Sequence, residues 1–241
     1  MIIVMRKSNI VLVLLIFVLS LAVYSLSIGE DSVSAVSKGQ EIQWTVLLDP
    51  GHGGEDPGAV SDYSGIKEKD FNLNIAFKLK EQLENSSYKV MMTRTEDRLE
   101  YNSETRNIVQ KRREDLTRRK KMMDEGGADI VVSLHLNKFP QTQSHGVQVF
   151  YPPNSPESQK LAFAIQKSVR ESFDPSNTRE ALVKKESIII LDNLKTTTVI
   201  VECGFLSNPD EEKRIRTDEY ATNLAAAIKA GIDKYFRDKQ R

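Results

Sequence analysis

The chain has 241 residues, of which 39% are hydrophobic, and this is enough for one well-buried globular domain. Its 34 basic and 34 acidic side chains cancel to a formal net charge of zero, so the overall charge does not indicate binding to nucleic acid or to an anionic membrane surface. The single cysteine, Cys203, excludes an intrachain disulfide. Because no basic residue adjoins it, we interpret Cys203 as a small buried residue rather than a nucleophile.

The N-terminus carries a predicted membrane segment, residues 1–28. Arg6 and Lys7 precede an uncharged run from Asn9 to Ile28 that is rich in Leu, Val and Ile. This run is long enough to span the roughly 30 Å hydrocarbon core as a helix, and its basic flank predicts that everything after it is exported across the cytoplasmic membrane. The sequence is compatible both with a retained signal anchor and with a cleaved signal peptide. The polar, serine-rich residues 29–43 are interpreted as a linker.

Strand and helix patterns alternate through residues 44–237, which we interpret as one domain. Strands are predicted at Thr45–Leu48, Lys89–Thr93, Ile130–Leu136, Gly146–Tyr151, Ser187–Leu191 and Thr197–Val201. Helices are predicted at Asp70–Asn85, Thr105–Asp124, Ser155–Phe173 and Asp218–Phe236. This alternation predicts an α/β fold with a mixed, mostly parallel sheet of about six strands and helices on both faces.

The second predicted helix contains a basic run from Lys111 to Lys121. We favour the interpretation that this run is a solvent-exposed helix face, balanced by Glu114 and Asp115. Contact with an acidic polymer or with a partner protein is the alternative. Nucleic acid is disfavoured as a partner, because the domain is predicted to be exported and has no aromatic stacking motif beside the run.

Four polar side chains stand where buried apolar runs end. They are His52, which lies among glycines after Val46–Leu48; Glu68, at the start of the next helical pattern; His135, after Ile130–Leu134; and Glu202, after Val199–Val201. Open α/β sheets bind ligands at the carboxyl ends of their strands, so these side chains are candidates to converge. The third histidine, His145, lies in a polar turn and is predicted to be a surface residue.

The types of these residues suit a zinc hydrolase. Catalytic zinc sites use three nitrogen or oxygen ligands and leave a fourth position open, which His52, Glu68 and His135 would satisfy. A further carboxylate is needed to move protons during amide hydrolysis, and Glu202 is the candidate. Taken alone this pattern is weak, because the spacings are long and each histidine could instead have a structural role.

Four ordered motifs make the pattern specific. They are LDPGHGG at 48–54, GIKEKD at 65–70, SLHLN at 133–137 and VECGFLSN at 201–208, with the smaller pair Thr93-Arg94 at the end of the second predicted strand. Together they resemble the zinc-dependent N-acetylmuramoyl-L-alanine amidases of the amidase type 3 family, over nearly all of residues 44–236.

The resemblance implies that His52, Glu68 and His135 hold one Zn²⁺ and that Glu202 is the catalytic carboxylate. The family cleaves the amide between the lactyl group of N-acetylmuramic acid and the first L-alanine of the peptidoglycan stem peptide. Asp49 and Asn137 become candidates for orienting the ligands or the substrate, although Asp49 could equally cap its loop. No long extra helix of the kind that plugs autoinhibited relatives is predicted between residues 137 and 202, so an open groove is expected.

The run Arg113-Glu114-Asp115-Leu116, in one domain behind a membrane segment, resembles the branch of the family that acts on spore cortex. That branch strips peptides from muramic acid as the first step towards muramic-δ-lactam, which is needed for germination. The expected location is the intermembrane or cortex space of a forming spore, and an accessory protein that stabilises or activates the enzyme is a possible partner. The alternatives are a vegetative wall amidase, a zinc peptidase that cuts within the stem, and a tethered binding protein without catalysis.

Overall fold

The computed structural model describes residues 15–21, 24, 43–186 and 188–240. Of the predicted membrane segment, only residues 15–21 and 24 are described, as helix; the rest of it and residues 29–42 of the predicted linker lie outside the described residues. Within the part of the chain that is described, no helix is both long and apolar enough to cross a membrane. A separate structural unit begins at Gln43 and contains everything discussed below.

This unit alternates strands and helices, as the sequence predicts. The strands are β1 (Thr45–Pro50), β2 (Lys89–Met92), β3 (Ile130–Asn137), β4 (Gln148–Tyr151), β5 (Leu182–Val183) and β6 (Thr197–Phe205). The helices are α1 (Glu68–Glu84), α2 (Ile108–Glu125), α3 (Pro156–Ser172), α4 (Pro209–Ile215) and α5 (Asp218–Lys239), and a 3₁₀ helix spans Ile189–Leu191.

The six strands form one mixed sheet in the order β2-β1-β3-β6-β4-β5. Strands β1, β2, β3 and β6 are mutually parallel. Strand β4 pairs antiparallel with β6, and β5 pairs parallel with β4. The prediction of a mostly parallel sheet is therefore confirmed. In the centre of the sheet His135 of β3 lies opposite Glu202 of β6, which places two of the candidate site residues side by side.

Alternating side chains of the strands pack on the two faces of the sheet. Val46 and Leu48 belong to the larger core, which they form with α1, α3 and α5, while Leu47 belongs to a smaller core with Met123 of α2 and Leu191 of the 3₁₀ helix. Helices therefore cover both faces, as predicted. His135 of β3 and Glu202 of β6 are on the same face of the sheet as Leu47, and this face is covered by α2.

The predicted strand at Ser187–Leu191 is wrong. Ile189–Leu191 forms a 3₁₀ helix in which the amide of Leu191 donates to the carbonyl of Ile188 at 2.9 Å, and the fifth strand is instead Leu182–Val183. Ile190 and Leu191 are buried against the smaller core. An apolar run of this length can be buried as a strand or as a helical turn, so the pattern alone could not separate them.

Several helices and strands begin or end at residues other than those predicted. Helix α2 begins at Ile108 rather than Thr105, because the side chain of Asn107 accepts hydrogen bonds from the amides of Val109 and Gln110 and caps the helix there. Strand β6 continues to Phe205, so Glu202 lies inside the strand rather than after it. The short helix α4 was not predicted; Asn208 caps it, and Pro209 occupies its first turn.

Candidate metal centre and active site

Three of the four candidate side chains meet at the carboxyl end of the central strands. One ligand atom from each of His52, Glu68 and His135 lies within 4.8 Å of the other two. Oε1 of Glu68 is 2.8 Å from Nδ1 of His135 and 3.3 Å from Nε2 of His52, and the two imidazole rings are nearly perpendicular. Two imidazoles and one carboxylate form a donor set that fits zinc, so this cluster could hold such an ion.

The loop after β1 brings His52 into the cluster. His52 adopts a left-handed backbone conformation with φ of +62°, which is unusual for a residue other than glycine. Its Nδ1 lies 2.8 Å from Oδ2 of Asp56, which leaves Nε2 facing Glu68. Ligating histidines commonly donate their second ring nitrogen to a carboxylate in this way, so the contact with Asp56 is a further feature that fits a metal site.

Glu68 is the first residue of α1 and is held by several donors. Its Oε2 accepts from the amide of Ala59 at 2.7 Å, and its Oε1 accepts from the amide of Leu136 at 3.1 Å. The amide side chain of Asn72, one turn further along α1, also donates to Oε1 at 3.4 Å. Glu68 is therefore buried with a fixed orientation rather than free to turn into solvent.

The cluster strongly favours a positive charge beside Glu68. Burial opposes protonation of His52, but its hydrogen bonds to Asp56 and Glu68 and the charges of both carboxylates raise its pKa to about 9. Burial likewise opposes ionisation of Glu68, yet the hydrogen bonds from His135 and His52 hold its pKa well below the usual range. A dication would take the place of this proton, since metal binding requires the neutral imidazole.

Glu202 lies beside the cluster on the next strand. Its Oε2 atom is buried and has no hydrogen-bond partner among the described residues. Burial raises the pKa of its carboxyl group above the ordinary value. A buried carboxylate oxygen without a partner normally costs stability, so its presence here suits an acid or base that acts on a bound molecule.

A cavity of about 220 Å³ opens in front of these side chains. His52, His135 and Glu202 lie on one side of it, and α2 lies on another. The rest of the lining is apolar at Leu99, Ile188, Ile190 and Ile200 and charged at Asp49, Asp56 and Lys184. Helix α3 packs against α5 and β4, and none of its residues lines the cavity.

Four other residues singled out from the sequence have different positions. Asp49 is fully buried and accepts hydrogen bonds from Thr93, Ser133 and Arg119. The side-chain oxygen of Asn137 accepts from the amide of residue 138 and its carbonyl accepts from the amide of residue 206, so its described contacts are not with the cluster. His145 is exposed, as predicted. Cys203 is fully buried, and burial raises the pKa of its thiol well above the ordinary value, which agrees with an unreactive structural residue.

The interpretation of the basic run as a solvent-exposed face is wrong for two of its members. Arg119 and Asp115 are buried, and Nε of Arg119 donates to Asp115 at 2.6 Å. A third member, Arg112, donates to Oδ1 of Asp56 at 2.7 Å and so supports the partner of His52. The sequence did not reveal these contacts, although the pair Thr93-Arg94 was a signal: Arg94 is buried against the loop that carries His52.

Comparisons with known proteins identify the family of this chain. The family model described as N-acetylmuramoyl-L-alanine amidase (Amidase_3) matches residues 46–234. The germination-specific N-acetylmuramoyl-L-alanine amidase of Bacillus subtilis (strain 168) is 34% identical over 80% of this chain and 80% of its own length.

Two solved structures extend the similarity to the fold. The CwlD amidase from Clostridioides difficile, solved in complex with the GerS lipoprotein, superposes with a TM-score of 0.79 at 38% identity, over 81% of this chain and 99% of that one. An N-acetylmuramoyl-L-alanine amidase from Clostridium difficile 630 gives a TM-score of 0.69 at 30% identity, over 82% and 98% of the two chains. The chain therefore belongs to the N-acetylmuramoyl-L-alanine amidase family and is an enzyme of that family that acts on peptidoglycan.

Proposed function

We propose that the enzyme is a zinc-dependent amidase in which His52, Glu68 and His135 hold one Zn²⁺ and Glu202 is the catalytic carboxylate. The observation that carries the proposal is the convergence of these three ligand atoms within 4.8 Å at the edge of a cavity that Glu202 also lines. The bond cleaved is the amide between the lactyl group of N-acetylmuramic acid and L-alanine.

When bound, zinc acts as a Lewis acid that polarises the amide carbonyl and makes water a stronger acid. The chain's own residues then have separate tasks. Asp56 fixes the ring of His52, and the amides of Ala59 and Leu136 fix Glu68. Glu202 takes a proton from the attacking water on its free Oε2 atom and delivers it to the alanine nitrogen as the amide bond breaks. Its raised pKa suits both halves of this transfer.

The relatives support a proposal for the biological setting. Since a germination-specific amidase is 34% identical, we infer that this enzyme acts on spore cortex and removes peptides as the first step towards muramic-δ-lactam. In this proposal residues 1–28 are a signal peptide or signal anchor, residues 29–43 are a linker and residues 44–237 are the catalytic domain. The enzyme would then be exported, either anchored or secreted, into the intermembrane or cortex space of the forming spore.

An accessory protein is part of the proposal. The CwlD amidase structure was solved in complex with a lipoprotein, and it is similar to this chain over 81% of the sequence. We infer that a lipoprotein of the same kind binds this enzyme. Co-purification of the two proteins from sporulating cells, and its loss when the lipoprotein is deleted, would test this part.

Product analysis tests the reaction. Digestion of purified cortex peptidoglycan, followed by mass spectrometry, should yield stem peptides with a free L-alanine amine and muramic acid with a free lactyl carboxyl group. Peptides cut at any later bond would favour a zinc peptidase, and the absence of products would favour a binding protein without catalysis. Chelation should abolish the release and added Zn²⁺ should restore it.

A pair of histidine variants tests the ligand assignment. His135→Ala should lose both zinc and activity, because it removes one of three ligands. His145→Ala is the matched control, since this histidine is exposed and its Nδ1 contacts only the nearby carbonyl of Gln143 among the described contacts. Equal zinc content in the two variants would contradict the assignment.

A further inference from the structure

Two buried arginines hold the backbone of the loop that carries His52. Arg94 donates from Nε to the carbonyl of Pro50 at 2.9 Å and from a terminal nitrogen to the carbonyl of Gly51 at 3.1 Å. Arg119 donates to the carbonyl of Pro50 at 2.7 Å and to the carbonyl of His52 at 2.7 Å. Three consecutive carbonyl groups, from residues 50 to 52, are therefore bound by two guanidinium groups. We call this arrangement the arginine clamp.

The clamp acts where the backbone needs support. The left-handed conformation of His52 is disfavoured for a residue with a side chain, and such conformations persist only where the surroundings enforce them. The carbonyl of His52 is fixed by Arg119, while its ring is fixed by Asp56 and faces Glu68. The residue is thus held at both its backbone and its side chain.

Arg119 is itself anchored from behind. Its side chain is 1% exposed, and it donates to Oδ2 of Asp115 at 2.6 Å and to Oδ1 of Asp49 at 3.0 Å. Asp49 in turn accepts from Thr93 at 2.6 Å and from Ser133 at 2.7 Å. The guanidinium group therefore has a single orientation, and its planar fork serves two carbonyls and two carboxylates at once. A lysine has one nitrogen and could not make all four contacts.

We propose that Arg119, assisted by Arg94, is a positioning residue for the metal: it sets the backbone conformation that presents His52 to the ion. Neither arginine is a ligand, and the described contacts of Arg119 with His52 involve only its carbonyl oxygen. The inference rests on the proposed role of His52 as a zinc ligand. It assigns to the basic run of α2 a function that its charge alone does not suggest.

The test compares three lysine substitutions in the full chain. Arg119→Lys removes the fork that holds residues 50 and 52, and Arg94→Lys weakens the same clamp without removing a partner from Asp49 or Asp115. Arg118→Lys is the matched control. The guanidinium group of Arg118 lies next to the clamp and donates to the carbonyl of Thr93 and to the carboxylate of Asp115, but to none of the three clamped carbonyls. Zinc affinity is measured by competition with a chromophoric chelator, under conditions where circular dichroism shows each variant folded.

Arg119→Lys should weaken zinc binding by about 10- to 100-fold, the range for residues that orient metal ligands, and Arg94→Lys should weaken it in the same direction. Arg118→Lys should stay within about twofold of the wild type. The visible spectrum of the Co²⁺-substituted protein should change for the two clamp variants only, because a general loss of stability would not alter the coordination geometry of folded protein.

The outcomes separate the two claims. A wild-type protein that binds no zinc would overturn the proposed function and the inference with it. A wild type that binds one zinc, with equally tight binding and an unchanged Co²⁺ spectrum in Arg119→Lys, would overturn the inference alone. If Arg119→Lys does not fold, Arg94→Lys decides: wild-type affinity and spectrum in that variant would refute the clamp.

Discussion

Replacing Gly51 with alanine perturbs the site through a single contact. A Cβ atom at this position would lie 2.2 Å from Cε1, 2.4 Å from Nε2 and 2.7 Å from Nδ1 of the His135 ring. Ordinary contact begins at 3.4 Å, so the ring must retreat by about 1.2 Å from its nearest approach. Gly51 is not among the residues with positive φ, so its own backbone should tolerate alanine.

This displacement should weaken zinc binding strongly while lowering the free energy of unfolding only moderately. Metal–ligand distances are defined to about 0.2 Å, so a shift of ~1.2 Å removes His135 from a common ion. We expect zinc affinity to fall by at least about 100-fold, because loss of a ligand should exceed the effect of losing a residue that merely orients one. The cost of crowding is expected to be about 1–3 kcal/mol in the free energy of unfolding, which leaves a folded protein.

Gly127→Ala is the matched control. Gly127 has φ of +73°, and no atom lies within 4 Å of the place that a Cβ would occupy, so alanine there strains the backbone without touching the site. We expect a loss of roughly 1–2 kcal/mol in stability with unchanged zinc affinity. The assays are chelator competition, urea denaturation and peptide release from peptidoglycan. Gly51→Ala protein with wild-type zinc affinity and activity would refute the inferred packing of His135 on the loop.

Three further predictions concern the rest of the domain. Burial opposes ionisation of Asp49, but Arg119 and two hydroxyl donors hold its pKa below that of an ordinary aspartate. Its stabilising effect is therefore fully present above the pKa of the unfolded chain and is lost as the pH falls through the lowered pKa, so Asp49→Asn should flatten the acid limb of stability measured by urea denaturation between pH 2 and 6. Cys203→Ala should keep activity, and native protein should resist iodoacetamide, because the thiol is buried. Leu224→Ala, in the core face of α5, should lose about 2–5 kcal/mol of stability, with unchanged zinc affinity in the folded protein.

The convergence of the candidate residues could be predicted because they interrupt apolar runs, whereas their roles depended on the resemblance to the amidase family. His135 and Glu202 lie on the central parallel strands, and the rule that ligands bind at the carboxyl ends of such strands places them together. Glu68 could be predicted from the start of a helical pattern. These signals are local, and each needs only the period of a strand or a helix to be interpreted.

The supporting residues could not be predicted in the same way. Arg119 stands in a run of charged residues that is typical of a solvated helix, and its burial depends on Asp49, a residue 70 positions earlier. Local periodicity contains no information about such a pairing. The predicted strand at Ser187–Leu191 failed for a related reason: its short apolar run is buried by Met123 of α2, and tertiary packing rather than propensity selects the 3₁₀ turn.

The most direct test of the central claim is the Glu202→Gln variant, assayed for zinc content and for peptide release in the same preparation. We expect this variant to bind one zinc per chain as the wild type does, because the ligands are His52, Glu68 and His135. We expect kcat to fall by at least about 100-fold, because the amide cannot carry the proton. Wild-type kcat with zinc bound would contradict the assignment of Glu202, and loss of zinc would contradict the assignment of the ligands.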